Sequence, residues 1–258
     1  MNRFYLAPDC WNAELPRLDP EESHHAADVM RMDVGGRLVV FDGLGREAMA
    51  SIEAVEREGI SLRLGAPTKQ DALPCRIVLG QAVPKGKNMD LIIQKAVELG
   101  VSKIVPLLSE RTVVRLERED REKKRIKWRE IAMGACKQCG QNFLPEIAQP
   151  VGLAEFFSGG DLPELLLVAS LQPGARSFRE ILQSVRLERG GNPRSVLILI
   201  GPEGDFTPAE IGLARSSGCL PVTLGPIILR SETAAIYSLS VLAHELFDPM
   251  VDFPQKTD

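Results

Sequence analysis

The sequence lacks the features that mark membrane and secreted proteins. No apolar run in its 258 residues approaches the roughly 20 residues needed to cross a bilayer. The N-terminal segment MNRFYLAPDCWNAELPRL has no apolar stretch like the centre of a secretory signal. Internal repeats and low-complexity tracts are also absent. With 44% hydrophobic and 26% charged residues, the composition predicts an ordinary globular protein, which we expect to be cytoplasmic.

Cysteine and histidine are few, and their spacing does not predict a metal site. The 5 cysteines are expected to be reduced thiols because the chain has no export signal. Only Cys136 and Cys139 form a C-x-x-C pair, and no second pair or nearby histidine completes a zinc site. A redox role is an alternative, but the pair lies inside a predicted helix rather than at a helix N-terminus. We therefore interpret these thiols as core packing and expect no metal.

The net charge of −4 argues against a nucleic-acid partner, but the charge is unevenly distributed. Residues 1–74 carry 8 Lys and Arg against 13 Asp and Glu, whereas residues 85–137 carry 14 against 8. A locally basic segment can bind phosphate even in an acidic protein. The alternative is that its charges, which alternate in sign, form only the solvated face of a helix. Charge alone leaves RNA binding open.

The pattern of apolar runs predicts two domains of unequal size. In residues 1–72, a helix beginning at Asp19-Pro20 and running to about Met32 is followed by short runs with glycine turns, which predict an antiparallel meander. The polar segment 68–74 ends in proline and is a candidate linker. In residues 73–258, strands alternate with helices, and the runs LLLVAS and VLILI are typical of strands covered on both faces. The larger domain is therefore predicted to be α/β with a parallel sheet.

One glycine motif in the first domain has two interpretations. The segment 43–48, GLGREA, matches the dinucleotide-binding pattern G-x-G-x-x-[GA]. That pattern requires a helix directly after it. Here the chain continues into Glu58-Gly59 and a further β run, so a hairpin turn that begins at Asp42-Gly43 explains the motif better.

The first segment that could carry chemistry is 200–210, IGPEGDFTPAE, which follows a buried strand and leads into a helix. Thr207 and Glu210 have the spacing of a capping box. Loops at the carboxyl ends of parallel strands are where open α/β sheets bind ligands. The glycines permit close backbone approach, and Glu203 and Asp205 supply two carboxylates. A plain connection between a strand and a capped helix is the alternative.

The second segment is 224–234, LGPIILRSETA, which also joins a strand to a helix and has Ser231 as the expected cap. It is unusually apolar for a surface loop. A wall of backbone and aliphatic side chains suits a flat aromatic ring such as adenine. The alternative is a loop buried under another element or at a subunit interface.

Together, these segments resemble the paired C-terminal signature of SPOUT methyltransferases, and the version with ILR-x-ETA is closest to the RsmE family. Segments 84–101, 109–114 and 137–140 resemble the same family in the same order, so the likeness covers most of residues 77–245. The resemblance implies methylation of N3 of a uridine in 16S ribosomal RNA, with S-adenosylmethionine as the donor. It leaves two alternatives: a SPOUT enzyme acting on another RNA or on a ribose 2'-oxygen, and a non-catalytic RNA-binding assembly factor.

The resemblance also implies a fold that periodicity does not give. In the SPOUT superfamily the C-terminal part of the chain threads through a loop to form a trefoil knot, and the methyl donor sits in that knot. Residues 73–258 would form this domain, and residues 1–72 a PUA-like, RNA-binding β-barrel. The family forms homodimers, with the last helix (231–247) at the interface.

For this reaction, residues of both loops and the basic residues nearest to these motifs are the candidates. Arg230 is the candidate for stabilising negative charge on the uracil oxygens, and Glu203 and Glu232 are candidates for proton removal or for orienting Arg230. For Glu232, a simple helix-start acid is the alternative. The expected donor-binding residues are Ile200, Gly201, Glu203, Gly204, Leu224, Gly225, Ile228, Leu229, Arg230 and Thr233. The expected RNA contacts, with solvated surface as the alternative, are Lys85, Lys87, Arg111 and Arg115.

Three positions depart from the family pattern. Asp205 stands where a glycine is usual and adds a negative charge to the first loop. In the helix motif, Lys137 replaces a glutamate, and Gln141 replaces an arginine that the family pattern implies as an RNA or substrate contact.

Overall fold

The computed structural model describes residues 1–112 and 117–247. The chain forms two compact units, one of Met1–Ala72 with Glu130–Pro145, the other of Leu73–Arg129 with the residues from Glu146 onwards. The chain thus returns to the first unit after entering the second, which the linear division at residues 72 and 73 did not include. No helix within the described ranges is long and apolar enough to cross a membrane.

The N-terminal unit contains one five-stranded sheet. Its strands are β1 (Arg3–Tyr5), β2 (Arg37–Phe41), β3 (Arg46–Glu56), β4 (Gly59–Leu64) and β5 (Thr68–Lys69). The predicted meander is confirmed, because β3 pairs antiparallel with both β2 and β4. Strand β1 extends the sheet by pairing parallel with β2, and β5 pairs with β3.

The turn between β2 and β3 settles the interpretation of the glycine motif. The buried carboxylate of Asp42 accepts hydrogen bonds from the backbone N–H groups of Leu44, at 2.7 Å, and Arg46, at 2.9 Å. Gly43 and Gly45 have left-handed φ angles of 74° and 100°, which glycine adopts without steric cost. Since a strand follows, the hairpin prediction is confirmed and a dinucleotide-binding turn is excluded.

The helix of this unit is shorter than predicted. Helix α1 covers Pro20–His24, and the Asp19 side chain caps it by accepting from the backbone N–H of Glu22 at 2.8 Å. A π-helical turn, His25–Val29, follows. Arg31 then adopts a φ of 53°, so the helix cannot continue to Met32 as expected.

The second unit contains a seven-stranded sheet in which every pairing is parallel, as predicted for the α/β domain. Its strands are β6 (Arg76–Ala82), β7 (Lys103–Leu108), β8 (Glu146–Ile147), β9 (Val151–Gly152), β10 (Leu165–Ala169), β11 (Ser195–Ile200) and β12 (Leu220–Val222). The order in the sheet is β12-β10-β11-β6-β7-β8, with β9 also beside β7. The helices are α2 (Asn88–Glu98), α3 (Arg118–Cys139), α4 (Leu153–Ser158), α5 (Phe178–Arg189), α6 (Pro208–Ser216) and α7 (Ser231–Leu246), and the residues of α3 from Glu130 onwards belong to the first unit.

Two helix starts differ from the sequence prediction. Asn88 was expected to cap α2, but it is the first helical residue, and Lys87 occupies the cap position without a side-chain cap bond. Ser231 was expected to cap α7, but Arg230 is at that position and Ser231 lies inside the helix. The hydroxyl of Ser231 instead makes a long-range hydrogen bond to another loop.

The centre of the parallel sheet is covered on both faces. Residues 196–200 of β11 and 77–79 of β6 are buried apolar side chains. Helix α7 packs back against β6, β11 and α2. Because all the strands run in one direction, the loops that follow β6, β7, β10, β11 and β12 meet at a single edge of the sheet.

Of the cysteine pair at the end of α3, only Cys136 packs in the interior; Cys139 is exposed, so the expected core packing is wrong for Cys139. Cys136 is buried, and its thiol donates to the backbone carbonyl of Phe143 at 3.7 Å. Burial raises the pKa of Cys136 to about 12, so the thiol is protonated at neutral pH. Within the described residues, no group of His, Cys, Asp and Glu has the arrangement of a metal site.

Lys137, which replaces the usual glutamate, has an acidic partner in the same compact unit. Its ammonium group forms an ion pair with Glu22, whose side chain is only 5% exposed. The carboxylate of Glu22 also accepts from the backbone N–H of Tyr5 at 3.3 Å. Burial raises the pKa of Glu22, and Lys137 opposes that rise. Gln141, which replaces the usual arginine, accepts from the backbone N–H of Phe143 at 3.1 Å.

We expect Lys137→Met to lower the free energy of unfolding by about 3 kcal/mol at neutral pH, because it leaves the Glu22 charge buried without a partner. Loss of Lys137 raises the pKa of Glu22 further above its ordinary value of 4.5. The ionised form is therefore disfavoured when folded, and the loss should shrink as the pH falls and Glu22 is protonated. Urea unfolding of variant and wild type at neutral and mildly acidic pH measures this.

The control is Lys137→Met in a Glu22→Gln background, where the pH dependence of the loss should disappear. An equal loss at both pH values in the single variant would contradict the prediction.

Candidate active site

The candidate site lies at the edge of the second unit's sheet where the parallel strands end. A cavity of about 410 Å³ opens there between the loop after β10 and the loop after β12. The first side is lined by Ser170, Leu171, Gln172, Pro173, Gly174 and Ala175, and the second by Thr223, Gly225, Pro226 and Ile228. Two of the predicted donor-binding residues, Gly225 and Ile228, therefore line a cavity of the size of a small-molecule site.

Backbone hydrogen bonds hold the loop after β10 in place at both ends. The N–H of Ser170 donates to the carbonyl of Val222 at 3.0 Å. At the far end, the N–H of Arg176 donates to the carbonyl of Pro221 at 3.1 Å, and the Arg176 carbonyl accepts from Thr223 at 2.9 Å. The cavity wall is thus fixed to strand β12 rather than free to move as a simple surface loop.

The sequence analysis did not identify the loop after β10 as part of the candidate site, although the prediction of β10 as a parallel strand pointed to it. Strand β10 was predicted as a buried strand of a parallel sheet, but nothing in the sequence states that β10 lies between β11 and β12. Once that order is known, the loop 170–176 must lie between the two recognised loops.

The loop after β12 presents an apolar surface to solvent. Ile227 and Ile228 are 73% and 77% exposed, so this loop is not buried beneath another part of the same chain. Gly225 has a φ of 113°, and a Cβ atom there would enter open space. Backbone groups, Pro226 and Ile228 therefore form a wall suited to a flat ring with apolar faces.

The loop after β11 is held by groups from two neighbouring loops. The Glu203 carboxylate accepts from the backbone N–H of Lys85 at 3.2 Å. The Gly204 carbonyl accepts from the guanidinium of Arg111 at 2.5 Å. Lys85 and Arg111 were expected to contact RNA; in the structure, the backbone of Lys85 and the side chain of Arg111 hold this loop.

Glu210 makes a further connection that sequence spacing did not predict. The capping box is confirmed: the backbone N–H of Glu210 donates to the Thr207 hydroxyl, and the Glu210 carboxylate accepts from the Thr207 N–H. The carboxylate also accepts from the backbone N–H of Glu110 at 3.0 Å and lies 3.5 Å from the Ser109 hydroxyl. The same side chain thus caps α6 and fixes the loop after β7.

Asp205 occupies a position with a conformational requirement. Its φ is 61°, in the left-handed region where glycine is favoured and Asp is tolerated. Its N–H donates to the Pro202 carbonyl at 2.9 Å, and its side chain accepts from the backbone N–H of Phe206 at 2.7 Å. The departure from glycine is therefore compatible with the turn, and the carboxylate has a local partner.

A buried chain of two hydrogen bonds connects strand β6 to the loop after β11. The side-chain amide of Gln81, at the end of β6, donates to the Ser231 hydroxyl at 2.9 Å. That hydroxyl donates to the Gly201 carbonyl at 2.8 Å. Gln81 was not predicted as a site residue, although it is the one polar residue in the run IVLGQA that follows Arg76.

The remaining predicted residues lie around the same edge. Arg230 is exposed at the N-cap of α7, Glu232 is half-buried in its first turn, and Thr233 is exposed beside it. Lys85 and Lys87 are exposed in the loop after β6. Arg115 lies outside the described residues. Ile200 is buried at the end of β11, and Leu224 and Leu229 are half-buried in the loop after β12.

Comparison with known proteins agrees with this arrangement. The family model described as an RNA methyltransferase domain matches residues 71–243, and one described as an RNA methyltransferase PUA domain matches residues 18–65. Ribosomal RNA small subunit methyltransferase E of Bacillus subtilis is 32% identical over 230 residues, which cover 87% of this chain and 88% of that protein. The chain belongs to the RsmE family of RNA methyltransferases.

Two solved structures of similar proteins contain the methyl donor. A Legionella pneumophila protein in complex with S-adenosylmethionine is 37% identical, with a TM-score of 0.85, and the match covers 95% of this chain and 98% of that one. Ribosomal RNA small subunit methyltransferase E of Neisseria gonorrhoeae, bound to S-adenosylmethionine, is 29% identical, with a TM-score of 0.81 and the same coverage. The predicted family and the α/β fold of this methyltransferase are thereby confirmed.

In this RsmE family member we expect Asp205→Gly to change the free energy of unfolding by less than about 0.5 kcal/mol, since glycine adopts the left-handed φ without strain. Asp205→Val should lower it by about 1–2 kcal/mol, because a β-branched side chain is strained there. Urea unfolding of both variants measures the difference. Equal stability of the two variants would show that the left-handed conformation is not required.

Proposed function

We propose that this methyltransferase transfers a methyl group from S-adenosylmethionine to N3 of a uridine in 16S ribosomal RNA of the small subunit. The observation that carries the proposal is the cavity of about 410 Å³ between the loops after β10 and β12, at the edge of the sheet where the GPEGDF loop after β11 also lies. Family membership and the donor bound in two relatives support the choice of ligand.

The residues around the cavity fit the donor. Pro226 and Ile228 offer an apolar surface for the adenine ring, and the backbone of the loop 170–175 can form hydrogen bonds with its edge. The glycines of the loop after β11 allow close approach of the more polar end of the molecule. Ile200, Gly201, Glu203, Gly204, Leu224, Gly225, Leu229, Arg230 and Thr233 would complete the binding site.

S-adenosylmethionine, when bound, supplies an electrophilic methyl group on a positively charged sulfur. The protein must then accept the N3 proton of the uracil and stabilise the negative charge that develops on the uracil oxygens. Arg230, exposed at the start of α7, is suited to the second task. Glu203 and Glu232 are the candidates for the first, and the Lys85 N–H orients one oxygen of Glu203.

We further propose that the chain forms a trefoil knot around the donor site. Strand β12 lies at the end of the sheet beyond β10, whereas α7, which follows it, packs near the middle against β11 and β6. The segment 223–230 therefore leads from beyond β10 back to the middle of the sheet, and it lies beside the loop after β10, with which it lines the cavity. This course of the chain supports the proposal.

The proposal includes a homodimer and a defined role for each domain. The exposed Ile227, Ile228 and Tyr237 are apolar or aromatic residues of the kind that a partner subunit covers, with Tyr237 on α7. Residues 1–72 would act as a PUA-like, RNA-binding β-barrel and residues 73–258 as the SPOUT catalytic domain. A cytoplasmic location follows from the proposed ribosomal substrate.

The candidate RNA contacts are Lys85, Lys87, Arg111 and Arg115. Lys85 and Lys87 are exposed at the edge of the sheet that carries the cavity, which supports a role in holding RNA near the donor. Arg111 is exposed as well, but one nitrogen of its guanidinium is bound to Gly204. Binding through these cations should weaken as the salt concentration rises.

The decisive experiment uses labelled S-adenosylmethionine, the full chain, and small ribosomal subunits from a strain that lacks this gene. We expect incorporation of label and the appearance of N3-methyluridine in nucleoside mass spectrometry. Label in a different nucleoside would indicate another base or a ribose oxygen as the acceptor. Donor binding without incorporation would indicate another RNA, and loss of both would favour a non-catalytic assembly factor.

We expect Arg230→Ala to lower kcat by about 100-fold at saturating donor, because it removes the positive charge opposite the uracil oxygens. Methyl transfer to small subunits measures the rate. The matched control is Arg179→Ala, which removes an exposed arginine from α5. Its kcat should match the wild type, and full turnover by Arg230→Ala would show that the assignment is wrong.

A further inference from the structure

Gln81 is an amide buried in an apolar strand, and neither the fold nor the proposed chemistry accounts for it. Its side chain is 0% exposed, and its strand neighbours Ile77, Leu79 and Ala82 are buried apolar residues. Burying an amide costs free energy unless its hydrogen bonds are replaced. Nε2 of Gln81 makes two hydrogen bonds inside the protein, but Oε1 has no hydrogen-bond partner among the described residues. A methionine or leucine would fill this place in a purely structural strand at lower cost.

The surroundings fix which way the amide faces. Its Nε2 lies 2.8 Å from the carbonyl oxygen of Ala82 and 2.9 Å from the hydroxyl of Ser231. Turning the amide round would place Oε1 against the Ala82 oxygen, so that two acceptors would face each other without a hydrogen. Nε2 must therefore be the atom that faces Ser231.

This orientation also fixes the direction of the next hydrogen bond. A serine hydroxyl has one hydrogen, and Ser231 accepts from Gln81. Its own hydrogen is therefore free to be donated to the carbonyl of Gly201, 2.8 Å away. The chain Gln81–Ser231–Gly201 joins the end of β6, the start of α7 and the loop after β11.

Two of the three linked residues belong to, or are next to, the proposed donor-binding and catalytic residues. Gly201 begins the GPEGDF loop, and Ser231 directly follows Arg230. Both hydrogen bonds are buried, where water cannot replace them. A shift of Ser231 would therefore move the donor loop and the start of α7 relative to each other.

We infer that Gln81 is a positioning residue for methyl transfer, which acts through the Ser231 hydroxyl to hold the Gly201 loop in register with Arg230. The inference rests on the proposed role of that loop in holding S-adenosylmethionine. Gln81 itself touches neither substrate in this arrangement, because it is fully buried. Its effect should appear first in donor affinity.

The chain offers a matched control on the same strand. The hydroxyl of Ser102 donates to the carbonyl of Ile77 at 2.8 Å, the length of the bond from Ser231 to Gly201. Ile77 lies near the opposite end of β6, away from the cavity. Ser102→Ala therefore removes a serine-to-backbone hydrogen bond of the same length, part-buried rather than buried, without reaching the donor loop, and the Ile77 carbonyl keeps the backbone N–H of Ser102 as a donor.

The experiment compares Gln81→Met, Ser231→Ala, their double variant and Ser102→Ala in the full chain. Calorimetry with S-adenosylmethionine gives the donor Kd, and methyl transfer to small subunits gives kcat and the KM for each substrate. Thermal unfolding reports stability for every variant. Ser231→Thr, which keeps the hydroxyl, is added as the conservative replacement.

We expect Gln81→Met and Ser231→Ala each to weaken donor binding about five- to tenfold, as loss of a buried hydrogen bond does. The double variant should bind no more weakly than Ser231→Ala, since Gln81 acts through Ser231. The KM for small subunits should stay at the wild-type value. Ser102→Ala and Ser231→Thr should bind the donor like the wild type.

Several results would overturn the inference. One is a folded Gln81→Met variant that binds the donor as tightly as the wild type. Another is a double variant whose loss of donor affinity equals the sum of the losses in Gln81→Met and Ser231→Ala. A Ser231→Thr variant as weak as Ser231→Ala would show that the hydroxyl is not the link. If Gln81→Met does not fold, the comparison of Ser231→Ala with Ser231→Thr and Ser102→Ala decides.

Failure of the proposed function would look different. A wild-type chain that binds S-adenosylmethionine but transfers no methyl group to small subunits would overturn the proposed reaction, while the binding comparison would still judge Gln81. A wild-type chain that binds no donor would overturn both.

Discussion

The parallel pairing of β10, β11, β6 and β7 is the constraint on which the rest of the site depends. In a parallel sheet every strand ends at the same edge, so the loops that follow these strands all lie at that edge. The apolar residues that cover both faces of the sheet hold the ladder together. The polar residues are left for the loops, where they can serve a ligand.

The loops themselves are held mainly by hydrogen bonds to backbone groups. Arg111 and Ser231 bind the carbonyls of Gly204 and Gly201, and Glu203 and Glu210 accept from the N–H groups of Lys85 and Glu110. Such bonds fix the backbone of the loops, and the glycines still allow a ligand to approach that backbone closely. A donor site that works through main-chain groups needs this kind of support, because its ligand contacts cannot be moved independently of the loop.

Much of the fold could be predicted from the sequence because local signals carried it. The capping box of Thr207 and Glu210, the Asp42-Gly43 turn and the apolar runs of β10 and β11 each formed as predicted. The errors lay where a tertiary contact overrode a local preference. Ser231 has the chemistry of a cap, but its hydroxyl is used by Gly201. Helix α1 ends at His24 and the π-helical turn after it at Val29, shortly before a left-handed Arg31 that no sequence pattern marks.

The sequence by itself determined the family, the alternation of strands and helices, and the two loops of the methyltransferase signature, because these depend on residues close together along the chain. Only the tertiary structure decided that the loop after β10 completes the cavity, that Glu210 and Arg111 order neighbouring loops, and that Gln81 reaches Gly201 through Ser231. Those relations join residues up to 150 positions apart. The order of strands in the sheet brings them together, and that order is set by packing rather than by local spacing.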